Sequence, residues 1–381
     1  MAKPKIRLKG FKGEWENKLL GNLCSVNRGV RVTRKELNNQ GDYPVFQNTD
    51  YPMGFYNQYN VAGNNPFVII GGSAGLIGFS KKEFWAADDC VYFGDNAELD
   101  KAYLFNILLK HSSTIKKNVR GSSVPRLDRK VLVGLSISIP SIDEQQGIAD
   151  YFKSLDSMIQ GVTKKIASLK QMKQACLVSM FPQAGETKPR VRFKGFKGEW
   201  GKDKAGNLFM TFNERNRPDL PVLSANQDIR GMAPRTDTGY NISHNKANEV
   251  TYKVVKPGQY VIHLRSFQGG FAHSAVEGIT SPAYTVFGFK DAERHDDYFW
   301  KIIFMSKEFI KSLETITYGI RDGRSISFSE FAEMNFYFPS KEEQTKIASY
   351  FRSLDKQISL QEARLEKLKQ IKAACLDKMF V

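Results

Sequence analysis

The sequence repeats itself, and the manner of the repeat constrains the fold more than any other feature. Arg7-Leu-Lys-Gly-Phe-Lys-Gly-Glu-Trp15 returns as Arg192-Phe-Lys-Gly-Phe-Lys-Gly-Glu-Trp200, identical at eight of nine positions, at an offset of 185. Gly21-Asn22-Leu23 returns at the same offset as Gly206-Asn207-Leu208. Pro140-Ser-Ile-Asp-Glu-Gln-Gln-Gly-Ile-Ala-Asp-Tyr-Phe-Lys-Ser-Leu-Asp156 then returns as Pro339-Ser-Lys-Glu-Glu-Gln-Thr-Lys-Ile-Ala-Ser-Tyr-Phe-Arg-Ser-Leu-Asp355 at an offset of 199, in a register that holds through Cys176/Cys375, Met180/Met379 and Phe181/Phe380. The intervening stretch is fourteen residues longer in the second copy, and the two copies do not align inside it. Each half is therefore a constant frame around a variable insert. Duplication for stability alone gives no reason to keep a scaffold while its inserts diverge; two ligand specificities on one scaffold do.

The end of each frame reads as a long helix. Ile148, Phe152, Leu155, Ile159, Val162, Ile166, Leu169, Lys173, Cys176 and Met180 alternate four- and three-residue steps, the seam of a coiled coil. Ile347, Phe351, Leu354, Ile358, Gln361, Leu365, Leu368, Lys372, Cys375 and Met379 repeat it in frame. Ser141 and Ser340, each after a proline, are placed as N-caps. About forty residues at 1.5 Å each make a rod of roughly 60 Å, too long and too narrowly apolar to stay unpartnered. The other copy supplies the partner, and the matched seams predict antiparallel packing. Lys173 and Lys372 interrupt both seams at one relative place, where the packing loosens, a partner docks or, most plainly, a lysine lies exposed.

The inserts read as mixed α/β. In the first, strands are predicted at Phe67 to Ile70, Leu76 to Phe79 and Asp89 to Phe93, with a Gly71 to Gly75 turn and a helical stretch over 98–119. In the second, Gln259 to Leu264, Ala283 to Phe289 and the helical stretch Asp297 to Leu313 take similar places. Both close on a strand, Leu135 to Ile139 and Met334 to Phe338. The boundaries that follow are a first domain at 1–139, a helix at 140–181, a Pro/Gly/charge-rich linker at 182–190, a second domain at 191–338 and a second helix at 339–381.

Composition narrows the function. At 381 residues and 41% hydrophobic, the chain is long and apolar enough for two or three folded domains, which excludes disorder and small disulfide scaffolds. Its four cysteines (Cys24, Cys90, Cys176, Cys375) are far apart, so reduced thiols are expected and structural zinc is not. The basic start is followed by no apolar segment and no run is long enough to span a bilayer, so a cytoplasmic protein is expected, without a membrane partner. The formal charge is +16, and the two segments outside the helices hold most of it, +8 over 1–140 and +4 over 182–340. That excess favours a polyanion, nucleic acid ahead of an anionic membrane.

The candidate DNA contacts are basic and hydroxyl residues in the inserts: Arg28, Arg31, Arg34, Lys35, Lys81, Lys82, Arg120, Ser122 and Arg126 in the first, and Arg215, Arg217, Arg230, Arg235, Arg265, Arg321, Arg324 and Ser325 in the second. Arginines beside glycine and serine suit phosphate oxygens and guanine edges. Catalytic chemistry finds no such support. Asn64-Asn-Pro-Phe67 is one residue from the Asn-Pro-Pro-Phe/Tyr loop of adenine methyltransferases, but no glycine-rich cofactor loop precedes it, and Gly71 to Gly78 lacks the Gly-Lys-Ser/Thr ending of a P-loop. His244, His263 and His273 have no ligand-spaced partner. No catalytic, cofactor-binding or metal residue is assigned; the chain reads as a binder.

With those residues in view, the chain resembles the specificity subunit of type I restriction-modification systems. The likeness rests on the two leaders ending Gly13-Glu-Trp15 and Gly198-Glu-Trp200, and on Glu144-Gln145, Ile148-Ala149 and Leu155-Asp156 with their counterparts Glu343-Gln344, Ile347-Ala348 and Leu354-Asp355, so it spans essentially the whole chain. The resemblance implies an α+β architecture: two α/β target recognition domains separated by two long antiparallel helices in a coiled coil, with pseudo-twofold internal repeat. It implies a non-catalytic subunit whose domains each read one half of a split, asymmetric double-stranded DNA site. Its partners would be two methyltransferase subunits, which use S-adenosylmethionine to modify adenine, and restriction subunits, which use ATP and Mg to translocate and cut. No cofactor is expected in this chain itself. The competing readings are a stand-alone DNA methyltransferase, alone or fused to a nuclease, and a basic coiled-coil scaffold without sequence preference.

Overall fold

The computed structural model describes residues 3–38, 40–183, 185–226, 231–235, 246–264, 266, 270–316 and 326–381. They form two compact units, Met1–Lys165 with Gln361–Val381, and Ile166–Leu360. The division falls inside both long helices, Ile142–Met180 and Lys341–Lys378, so each unit holds one insert and a piece of each helix.

In the first unit four antiparallel strands lie in the order Val26–Arg28, Cys90–Phe93, Asn65–Ile69, Ile77–Ser80. Asn65–Ile69 is buried at every residue because both its faces are covered. Val68 joins the core closed by the helix Lys101–Lys110, whereas Phe67 and Ile69 enter a second cluster with Phe46, Val61 and Phe84. Hence the strand reads as a continuous apolar run without alternation. Gly78 stands opposite Phe67, and any side chain there would collide with the phenylalanine ring. A smaller sheet, Gly54–Tyr56, Tyr43–Phe46 and Trp85–Ala86, covers the second cluster. The helical stretch expected over 98–119 is two helices, Lys101–Lys110 and Ser112–Lys117, because His111 turns out of helical geometry (φ −87°, ψ 8°).

The second unit repeats that four-strand order as Phe209–Phe212, Thr285–Phe289, Tyr260–Ile262, Ala272–His273, and continues it with Gly231–Pro234 and Leu223–Asn226. The two added strands come from the part of the chain where the copies do not align. The core is aromatic: Phe209 meets Trp300 at 5.1 Å between ring centroids, and Tyr260 meets Phe304 at 5.0 Å. Here too one expected helix is two, Asp297–Phe304 and Lys307–Ile316. Ser306 breaks it, its hydroxyl accepting from the Phe309 amide at 3.1 Å as an N-cap does.

The frames coincide in detail. Glu16–Leu19 pairs antiparallel with Ser136–Ile139, starting from Glu16 opposite Ile139; Gly201–Lys204 pairs with Asn335–Phe338, starting from Gly201 opposite Phe338. The Glu-Gln step at each helix start joins leader, insert and helix. Glu144 accepts a fork from Arg7 (2.7 Å twice) and Glu343 accepts the same fork from Arg192 (2.8 and 2.5 Å). Gln145 donates to Pro140 O and accepts from the Asp100 amide at 2.9 Å; Gln344 does the same with Pro339 O and the Asp296 amide. Asp100 and Asp296 in turn cap the helices Lys101–Lys110 and Asp297–Phe304. The four carboxamide and carboxylate groups are buried, with every bond serving structure.

Within each unit the long helices run antiparallel. Tyr151 meets Cys375 and Asp156 meets Lys372 in the first, Tyr350 meets Cys176 and Asp355 meets Lys173 in the second, so number rises on one helix as it falls on the other. Of the seam positions, Ile148, Phe152, Leu155, Val162, Ile166, Leu169, Ile347, Phe351, Leu354 and Ile358 are buried, while Ile159, Leu365 and Leu368 are half-buried. Lys173 and Lys372 correct the plain expectation of exposure: each is half-buried and reaches an aspartate of the facing helix at 2.5 Å. A lysine stem long enough to lie along the seam and end on a carboxylate explains its place there.

Candidate nucleic-acid interface

The first unit gathers four of its candidate residues at one end of the main sheet. The strand Asn65–Ile69 leads into the Gly71 to Gly75 turn, and the segment Arg120 to Arg126 folds beside it. Arg120 and Arg126 exchange backbone bonds, each amide donating to the other's carbonyl at 2.8 Å, so the loop carrying Ser122 is closed at its base. Gly121 takes a left-handed φ of +91°, which favours glycine there. Leu127 anchors the loop, buried in the core with its amide bonded to Ile70 O at 2.9 Å.

Under this loop lies an acidic pair that the sequence reading passed over. Asp89 Oδ1 accepts from Arg126 Nη1 at 3.1 Å and stands 3.9 Å from Arg28 Nη2. Arg28 Nε also donates to Asp88 O at 2.6 Å, and Gln47 Nε2 to Asp88 Oδ1 at 3.3 Å. Asp89 is 19% exposed where Arg126 is 60% and Arg28 53%, so the carboxylate is sunk and the guanidinium groups face outward. Two consecutive acids before a strand in a basic segment were the available signal.

The other candidates of this unit are apart from that group. Arg31, Arg34 and Lys35 are exposed on the loop after Val26–Arg28, which a Thr33–Glu36 turn organises. Lys81 and Lys82 are exposed at the opposite end of the hairpin from the Gly71 to Gly75 turn.

In the second unit Arg215 is exposed, with Nε donating to Asn213 Oδ1 at 3.1 Å. Arg217 forks onto Asp219 at 2.9 and 2.8 Å, which neutralises its charge locally. Arg235 is half-buried, bonded to Ser224 and 6.0 Å from the Tyr252 ring centroid. Arg230, Arg265, Arg321, Arg324 and Ser325 lie outside the described residues, as does His244.

His263 and His273 are buried, and His273 Nε2 meets Asp297 Oδ2 at 2.6 Å. Arg352 holds the other oxygen of Asp297 at 3.1 Å and lies over the Tyr298 ring, so this pair ties the insert to the second long helix. Among the described residues no group of three or more His, Cys, Asp or Glu side chains could hold a metal ion, and no helix is long and apolar enough to cross a membrane. Burial pushes the Cys90 thiol far above its usual range, leaving it a packing residue.

The two halves of the chain match a known family's sequence pattern. The profile of the type I restriction modification DNA specificity domain matches twice, over residues 12–171 and 198–370. The chain belongs to this specificity family. It contains two copies of the specificity domain, and proteins named specificity subunits are its relatives. The specificity subunit of the Methanocaldococcus jannaschii type I restriction enzyme MjaVIII is 24% identical over 395 residues, covering 94% of this chain and 90% of that protein. A Mycoplasma pneumoniae protein provisionally named a type I specificity subunit is 28% identical over 162 residues, but that match covers 41% of this chain and 44% of the relative. Among solved structures, the S subunit of the type I restriction-modification system of M. genitalium is similar in fold, with a TM-score of 0.68 at 16% identity, over 100% of this chain and 99% of that one. A chain from a study of assembly and conformational transition of the type I system gives a TM-score of 0.52 at 14% identity over 97% of this chain.

Proposed function

We propose that this specificity-family chain reads a bipartite, asymmetric site in double-stranded DNA, one insert per half-site, and contributes no catalysis of its own. The observation that carries the reading is the pairing of near-identical frames with inserts that differ in length, strand number and surface arginines. One frame holding two different readers yields two different half-sites. The excess positive charge in the inserts supports a phosphate-rich ligand. Two methyltransferase subunits carrying S-adenosylmethionine would act on adenines in the chosen site, and restriction subunits using ATP and Mg would cut elsewhere, all in the cytoplasm where the DNA is. The relatives' names, specificity subunits of type I restriction enzymes, support a chain that works with partner subunits.

The antiparallel helices would set the spacer as a ruler. The test is to map methylated adenines in DNA from cells expressing the chain with its methyltransferase, then to exchange residues 201–338 for the insert of another specificity subunit. One half of the motif changes and the other half and the spacer stay. A change in both halves defeats the independent-reader assignment.

A further inference from the structure

We infer that Asp89 is a positioning residue for base readout: it holds Arg126, and more distantly Arg28, so that their free guanidinium edges address a guanine in the major groove of the first half-site. The inference rests on the DNA-reading function above and names the chemistry of one of its contacts.

The geometry favours a base edge over a phosphate. Arg126 has one terminal nitrogen committed to Asp89 at 3.1 Å, yet the side chain is 60% exposed, so one edge is tethered while further donors remain outward. The backbone beneath is fixed as well, by the reciprocal Arg120/Arg126 bonds and the buried Leu127. Arg28 is immobilised from the other side through Nε on Asp88 O, with Nη2 3.9 Å from the same carboxylate. A phosphate approaching either arginine would also meet the like charge of Asp89. A guanine edge offers the uncharged acceptors O6 and N7, spaced for a planar fork, and meets far less repulsion than a full anion. Arginine is suited to this by its rigid fork, and a carboxylate behind it removes the rotameric freedom that readout would otherwise have to freeze.

Gly71 belongs to the same device. It bridges to Arg126, and a side chain there would strike the Asp89 carboxylate. The glycine thus lets the turn close over the acid that orients the arginines.

The experiment uses the full chain, copurified with its methyltransferase partner, and a pool of duplexes randomised through the recognition site. Asp89→Asn keeps the shape and removes the charge; Arg126→Lys keeps the charge and removes the fork. In both, preference for guanine at one position of the first half-site falls about tenfold or more. The second half-site, the melting temperature and the salt slope of non-specific binding stay as in the parent chain. Unchanged preference in both variants overturns the inference and leaves the Asp89 pair as a loop fastener. Equal loss for every sequence, with a lowered melting temperature, overturns it as well. A parent chain that selects no sequence at all overturns the DNA-reading function itself, and is told apart because the failure precedes any substitution.

Discussion

At the scale of single residues, an arginine's worth as a DNA contact depends on what already holds it. Arg120 is exposed on a closed loop, and no described side chain takes its charge. Arg217 is forked onto Asp219, which lowers its value to a phosphate. Arg120→Ala should therefore weaken binding to all sequences and reduce the slope of log affinity against log salt by about one. Arg217→Ala should leave that slope within half of this amount, since the Arg217 guanidinium is already committed to Asp219. Fluorescence anisotropy on a fixed duplex across salt concentrations measures both; equal slopes for the two variants would refute the distinction. Such differences were out of reach in the sequence, where both residues are arginines in loops. Asp89 lies 37 positions from Arg126 and 61 from Arg28, and only the fold brings them together.

At the scale of elements, the long helices carry reciprocal polar contacts rather than a uniform apolar seam. Lys173 to Asp355 and Lys372 to Asp156 are the same pair written twice at an offset of 199, as are Cys176 to Tyr350 and Cys375 to Tyr151. A seam of leucine and isoleucine tolerates sliding by a heptad; a lysine that must end on one aspartate does not. In Asp156→Lys the seam meets Lys372 with like charge, and stability should drop by about 1 kcal/mol or more. Adding Lys372→Asp restores the pair in reverse and should recover most of the loss. Denaturant midpoints of the two single variants and the double variant measure the coupling; additive losses would show that the pair contributes no register. The helices and their period were legible because heptads leave an unambiguous mark on sequence. The inserts were legible only as a succession of strands and helices, since strand order depends on pairings across the chain. The break at Ser306 was hidden because the apolar pattern runs across it, and the Glu-Gln motif is legible in sequence as a repeated pair, whereas its physical role rests on Arg7, Arg192, Asp100 and Asp296 elsewhere in the chain.

At the scale of the whole molecule, the chain is two equivalent pieces that complete each other. Each compact unit takes an insert and the start of a long helix from one copy, and the end of a long helix from the other. The leader of the first copy is bonded at Ile6 to Lys378 O, near the end of the second helix, and the leader of the second at Val191 to Ser179 O, at the matching place on the first. Every polar contact named across the helix pair has its counterpart at the equivalent positions. A fragment of residues 1–190 therefore contains one full set of both partners: Tyr151 and Cys176, Asp156 and Lys173. Alone, it would expose the seam from Ile148 to Leu169, an apolar stripe that water disfavours. Two such fragments can bury it by pairing antiparallel, Asp156 of each on Lys173 of the other, about a true twofold axis. The expected outcome is a homodimer in analytical ultracentrifugation, whose association Asp156→Lys weakens and Asp156→Lys with Lys173→Asp restores. With two copies of the first insert, the dimer should select a site whose halves are the same sequence in inverted orientation. A folded monomer at micromolar concentration would show that the frame needs differences between its two copies to close.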